Sequence, residues 1–171
     1  MTKLALALAG AASLLAASAD AQVAATPPAP PAPPAPGPSL ALAVEAAQTA
    51  ISVCTANGYK VSVAVVDSAG VLKVLLSGDG ASARSTLVAQ RKTATTMAYK
   101  MSSAAVVEAA KTDPAIAARL ENDPALFNRA GAQPLMSKGA LFGAIGVSGA
   151  PGGEKDDVCG LAGIAKIKDR L

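Results

Sequence analysis

Between Thr26 and Pro38 the chain reads TPPAPPAPPAPGP. Proline fixes φ and offers no backbone N–H, so neither a helix nor a β-ladder can run through such a tract. Extended polyproline II is expected there, acting as a semi-rigid spacer rather than as a docked peptide ligand. The tract therefore separates an N-terminal segment, residues 1–21, from a body that runs from Ser39 to Leu171, with residues 22–38 as linker. The body is one domain's worth of chain, long enough to bury a core of its own.

The segment before the tract starts Met1-Thr2-Lys3, runs apolar from Leu4 to Leu15, and ends Ala19-Asp20-Ala21. One cation, a short apolar stretch and an Ala-x-Ala ending describe a secretory signal peptide, cleaved after Ala21. The apolar run falls short of the roughly 20 residues needed to span a bilayer. A periplasmic or secreted protein is the expectation, with no membrane span.

Export gives meaning to the two cysteines, Cys54 and Cys159. In an oxidising compartment an even pair favours a disulfide; two separately buried thiols, each acting as a small hydrophobe, are the alternative. A redox-active pair would be expected close together, and these are not. The formal net charge is +3, and tryptophan is absent. Without clustered cations or stacking aromatics, a nucleic-acid surface is not expected.

Histidine is absent altogether. That removes Ser-His-Asp and Cys-His catalysis, His-ligated zinc and His-ligated haem. The adjacent acids Asp156 and Asp157 would point about 100° apart on a helix, so they are read as capping residues rather than a catalytic pair.

Local signals along the body predict helix, hairpin, helix, hairpin, helix. Ser39–Cys54 is Ala/Leu-rich behind a serine cap and stops before Asn57-Gly58. Val61–Val66 is β-branched and apolar on both faces, which fits a buried central strand. Asp67-Ser68-Ala69-Gly70 fits a type I turn into a second strand, Val71–Leu76. A long helix follows over Ala83–Met101, with Leu87, Ala94, Ala98 and Met101 on one face. Asp113-Pro114 and Asp123-Pro124 each place a capping carboxylate before a proline, predicting short helical turns. A second hairpin is expected from Gln133 to Ser148, turning at Lys138-Gly139, and a closing helix from Asp156 to Leu171. Strand pairs separated by helices, without βαβ alternation, argue an α+β domain on an antiparallel sheet.

Two stretches carry candidate binding chemistry. The run from Gly143 to Gly153, GAIGVSGAPGG, passes from strand into helix through glycines. Such a junction can present backbone N–H groups to an anion, but it matches neither a phosphate loop nor a dinucleotide fingerprint. Tight strand–helix packing is the simpler explanation, and a small-ligand floor involving Gly149, Gly152 and Gly153 the sharper one. In Arg91-Lys92-Thr93-Ala94-Thr95, the cations and hydroxyls form either a solvated helix face or a surface for an acidic ligand group, with Lys92 and Thr95 within one turn.

Taken together, "YKVSVAVVDSAGVLKVL", "QRKTATTMAY" and "PLMSKGALFGAIGVSGAPGGEKDDVCGLAGIAKI" resemble the GlcG/HbpS family of haem-binding-type proteins, over nearly all of residues 40–171. The resemblance implies a profilin-like α/β/α sandwich on a five-stranded antiparallel sheet, usually in homo-oligomers. It links the chain to haem binding, to glycolate-utilisation operons and to the C-terminal domain of PduO-type cobalamin proteins. Lys92 and Thr95 match the family's helix motif, and Asp67 its Val-Val-Asp turn. Thr93 departs from the usual alanine, and Gly131-Ala132-Gln133-Pro134 from a Gly-Gly-x-Pro run. Without histidine, haem would need Thr, Tyr, Met or Lys, or surface contact. The expected function is an exported, non-catalytic small-ligand-binding protein, with haem or a related tetrapyrrole as the candidate cofactor. The alternatives are an enzyme or accessory in small hydroxy-acid metabolism using Lys92 and Asp67, and a structural homo-oligomer.

Overall fold

A computed structural model describes residues 34–171; the expected signal peptide and most of the proline tract lie outside them. The elements in chain order are α1 (Leu40–Ala56), β1 (Ser62–Asp67), β2 (Leu72–Ser77), α2 (Ala83–Tyr99), α3 (Ser103–Ala109), α4 (Pro114–Asn122), β3 (Ala132–Ser137), β4 (Ala140–Ser148) and α5 (Gly153–Ile167), closed by a short 3-10 turn, Lys168–Arg170.

The strands form one antiparallel sheet in the order β2-β1-β4-β3. The two hairpins join through β1 and β4, from Ser62 opposite Ser148 to Asp67 opposite Gly143. Every residue of β1 is buried, as expected for a central strand of β-branched residues. The sheet has four strands, not the five that the family resemblance implied. Between α2 and β3 the chain spends its residues on α3 and α4 instead of on a further strand. Asp113 explains part of that choice: its Oδ1 accepts from Ala115 and Ile116 N–H, with Pro114 at the first helical position. The second Asp-Pro step yields only a single turn, in which Asp123 O accepts from Leu126 N.

Helices cover both faces of the sheet. One face carries Val63, Val65, Ile145 and Val147, which pack with the alanines of α1 (Ala43, Ala46, Ala47, Ala50) and with α5. Small residues let the two helices approach closely: a Cβ on Gly163 would collide with the carbonyl of Ala46. Cys54 and Cys159 are bonded to each other here, Cα–Cα 5.6 Å, tying α1 to α5.

The other face meets α2, and here the expectation is reversed. Leu87 and Met101, on the face read from the sequence as apolar, are 56% and 38% exposed. The buried face is Ser85, Val88, Ala89, Lys92, Thr93, Thr95 and Thr96. Most of these polar side chains go inside with partners, Thr96 Oγ1 being left without one: Ser62 Oγ, on β1, meets Ser77, Ser85 and Thr86 hydroxyls at 2.9–3.1 Å. Buried hydroxyls cost little once paired in this way.

The turns follow their local chemistry. Gly70 N donates to Asp67 O, and Lys138 and Gly139 both take the positive φ of a tight hairpin turn. At the entrance to the domain, Ser68 N donates to Pro36 O and Pro38 is buried, so the end of the proline tract is tied to the β1–β2 turn. Helix α5 starts at Gly153, three residues before the expected position. Among the described residues, no helix is long and apolar enough to cross a membrane.

Candidate functional site

The last residues of β4, the start of α5, the start of α2 and the loop before β3 border an open cavity of about 300 Å³. Its floor is the glycine junction: Ser148, Gly149, Gly152 and Gly153 all line it. Gly149 has φ +130, and a Cβ there would strike the carbonyl of Lys60, so the junction requires glycine at that step. The wall from α2 consists of Ser82, Arg84, Ser85, Val88 and Lys92, and Phe127 and Arg129 face it from the loop.

Lys92 is neither a solvated cation nor a free ligand donor. Its Nζ lies 2.7 Å from Asp156 Oδ2 and 3.0 Å from Val147 O, with both side chains 3% exposed. Asp156 Oδ1 accepts from Ala150 N, folding the glycine junction over the pair. Burial pushes the Asp156 carboxyl above the usual carboxylate range, and the Lys92 ammonium beside it offsets this only in part. Asp157 is raised as well, again by burial, against the N–H groups of Gln133 and Gly131 that its Oδ1 accepts at 2.7 and 3.0 Å. Neither acid caps α5, contrary to the sequence reading: Gly152 is the N-cap and no side chain bonds there. Instead the acids lock α5 to α2 and to the start of β3.

Of the residues singled out from the sequence, Lys92, Gly149, Gly152 and Gly153 converge on the cavity. Arg91 and Thr95 stand behind it. Arg91 donates to Leu126 O at 2.6 Å and sits 5.1 Å over the Phe127 ring, while Thr95 Oγ1 accepts from Phe127 N at 2.9 Å. Together they hold the loop that brings Phe127 and Arg129 to the cavity. Asp67 lies elsewhere: its Oδ1 accepts from Ala69 and Val71 N–H and closes the β1–β2 turn. Val63 pairs with Val147, where Lys92 docks, and Asp67 is four residues further along β1. At about 3.3 Å per residue that is roughly 13 Å away. The sequence does not single out Arg84, Ser85, Arg129 or Ser148 as site residues, because nothing marks them apart from any other surface cation or hydroxyl.

Other cavities, two of them larger at about 470 and 520 Å³, lie away from these residues. One, of about 280 Å³, is lined by Val66, Leu72, Ala94 and Met97 beside the edge strand β2. Among the described residues no group of three or more Cys, Asp or Glu is placed to hold a metal ion.

Comparisons with known proteins agree with this architecture. The family described as "Haem degrading protein HbpS-like" matches residues 39–165. The solved structure of HbpS is similar over 78% of this chain and 92% of its own, at 34% identity and TM-score 0.71. A double mutant of Streptomyces reticuli HbpS is similar over 83% and 97%, also at 34% and 0.71. The fold is shared with a PduOC:heme complex at 22% identity and TM-score 0.68, over 77% of this chain and 95% of that one. No curated protein sequence matches the chain.

Proposed function

The chain belongs to the HbpS-like family, and from that premise we propose that it is a non-catalytic binding protein for a small acidic ligand, carboxylate-bearing tetrapyrroles included. The observation that carries this reading is the charge around the cavity. Arg84 and Arg129 line it, and the one acid among its lining residues, Asp156, is paired with Lys92. Phe127 and Val88 add apolar surface beside these polar groups. That mixture is typical of small-molecule sites, and about 300 Å³ is at the lower end of their size range.

Iron coordination does not fit this cavity. The chain has no histidine, and its two cysteines are bonded to each other. No methionine or tyrosine lines the cavity, and Lys92 is held by Asp156 and Val147. Tetrapyrrole binding, as in the PduOC:heme complex, would here rest on the carboxylate side chains and the ring face. Separation of Asp67 from Lys92 favours binding over a hydroxy-acid enzyme built on that pair. Parallel absorbance titrations with haemin and metal-free protoporphyrin test the reading. Affinities within about threefold of each other are expected, with a loss of about tenfold in an Arg84→Gln, Arg129→Gln double variant. Binding of haemin alone, with no response to protoporphyrin, would show that iron is the handle and sink the proposal.

Homo-oligomers and export belong to the same reading. Leu72 and Leu87 are 44% and 56% exposed, and exposed apolar side chains of this kind suit cover by a second copy. Light scattering on the wild type and on Leu72→Lys, Leu87→Lys should give an oligomer and a smaller species; a monomeric wild type refutes it. Sequencing of the mature N-terminus should begin at Gln22.

A further inference from the structure

We propose that the cavity contains a carboxylate subsite, formed by the Ser148 hydroxyl and the first turn of α5, and that the ligand is a small monoanionic carboxylic acid. This deepens the binding reading above and rests on it.

Ser148 ends β4 opposite Ser62, is 8% exposed and lines the cavity. The neighbouring hydroxyls are already committed. Ser62 meets three hydroxyls, and Ser85, on the same wall, donates to Ser82 O at 2.7 Å. Ser148 Oγ has no such partner among the described residues. It is therefore free to donate to an acceptor bound in the cavity it lines.

Beside it begins α5, 15 residues long, with no side-chain cap on Gly152. Lys155 and Asp156 N–H both turn back to Gly152 O. The N–H groups of Gly153 and Glu154 have no acceptor among the described residues. A helix start of this kind favours an anion, through its unpaired N–H groups and its dipole. Arg84 and Arg129 add positive charge at the wall.

The acids present select the class of anion. Asp156 lines the cavity, and the exposed carboxylate of Glu154 folds back against Gly152. A phosphate dianion would face both. A single carboxylate needs only to displace Glu154, whose side chain is free to swing outward. The Glu154 carboxylate is thus a negative charge that a bound anion has to move aside.

The test is a ¹H–¹⁵N titration of the exported protein with propionate, butyrate and inorganic phosphate, following the amides of Gly153 and Glu154. Saturable shifts with the two carboxylates, and none with phosphate at equal concentration, are expected. Ser148→Ala should weaken propionate about tenfold, the loss of one hydrogen bond to a charged group, and Ser148→Thr should restore it to within about threefold. Glu154→Gln, at an exposed position, should tighten binding about threefold by removing a like charge beside the site, and it serves if Ser148→Ala fails to fold. Preference for phosphate, unchanged affinity in a folded Ser148→Ala, or weaker binding in Glu154→Gln each overturns the subsite. If protoporphyrin moves the cavity amides but neither acid does, the subsite falls while the broader binding reading stands. If nothing moves them, both fall.

Discussion

Replacing Lys92 by methionine would remove one partner of an ion pair that is 3% exposed on both sides. The stem volume is nearly kept, so packing changes little. What is lost is the 2.7 Å contact to Asp156, the 3.0 Å bond to Val147 O, and the charge that balances a buried carboxylate. Breaking a buried pair from one side costs about 3–5 kcal/mol, mostly the penalty on the stranded charge. For a domain of this size that corresponds to a fall in Tm of roughly 10–15 °C.

The companion variant, Lys92→Met with Asp156→Asn, keeps an acceptor for Ala150 N and strands no charge. Its deficit should shrink to about 1–2 kcal/mol, the value of the lost hydrogen bonds. Acid should also rescue the single variant. Without Lys92, burial still raises the Asp156 carboxyl above its ordinary 3.8, so the folded state holds a proton that the unfolded chain releases. Stability then falls as pH rises through the folded value, and the deficit should be smaller at pH 5 than at pH 7.5. Urea unfolding followed by circular dichroism at both pH values reads all three quantities. A single variant that loses less than about 1 kcal/mol, or a double variant as unstable as the single one at pH 7.5, would refute the reasoning.

Three further outcomes follow from the same geometry. Reducing the Cys54–Cys159 bond, or replacing both cysteines by serine, frees a separation of 105 residues and should cost about 4–5 kcal/mol on the loop-entropy estimate, read from urea midpoints with and without reductant. Asp157→Asn keeps an oxygen for Gly131 N and Gln133 but removes a carboxylate whose folded pKa is raised. The wild type should therefore lose stability relative to this variant as pH rises above about 4, and identical pH profiles would count against the buried-acid account. Asp67→Ala removes the acceptor of two turn N–H groups and should cost about 1–2 kcal/mol in thermal unfolding. Propionate binding should be unchanged in that variant, because Asp67 is remote from the cavity.

Where neighbours in sequence decide the outcome, the residues could be read directly. Ser39 caps α1 through Leu42 N, Asp113 caps α4, and the Asp67–Gly70 and Lys138-Gly139 turns fall where their residue types demand. Each of these depends on contacts within four positions of the chain. The single cysteine pair also closed as the oxidising-compartment argument favoured. The α2 helix formed where expected but turned the other way about its axis. Judged by polarity, Leu87 and Met101 belong inside and Lys92 outside, yet the partner that allows Lys92 to be buried is 64 positions away on α5. A polar group's burial depends on whether that partner arrives, and local pattern holds no information about it. The same applies to the cavity. Arg84, Arg129 and Ser148 come from a helix start, a loop and a strand end, and only the closure of the sheet between β1 and β4, with α5 pinned across it, places them around one space.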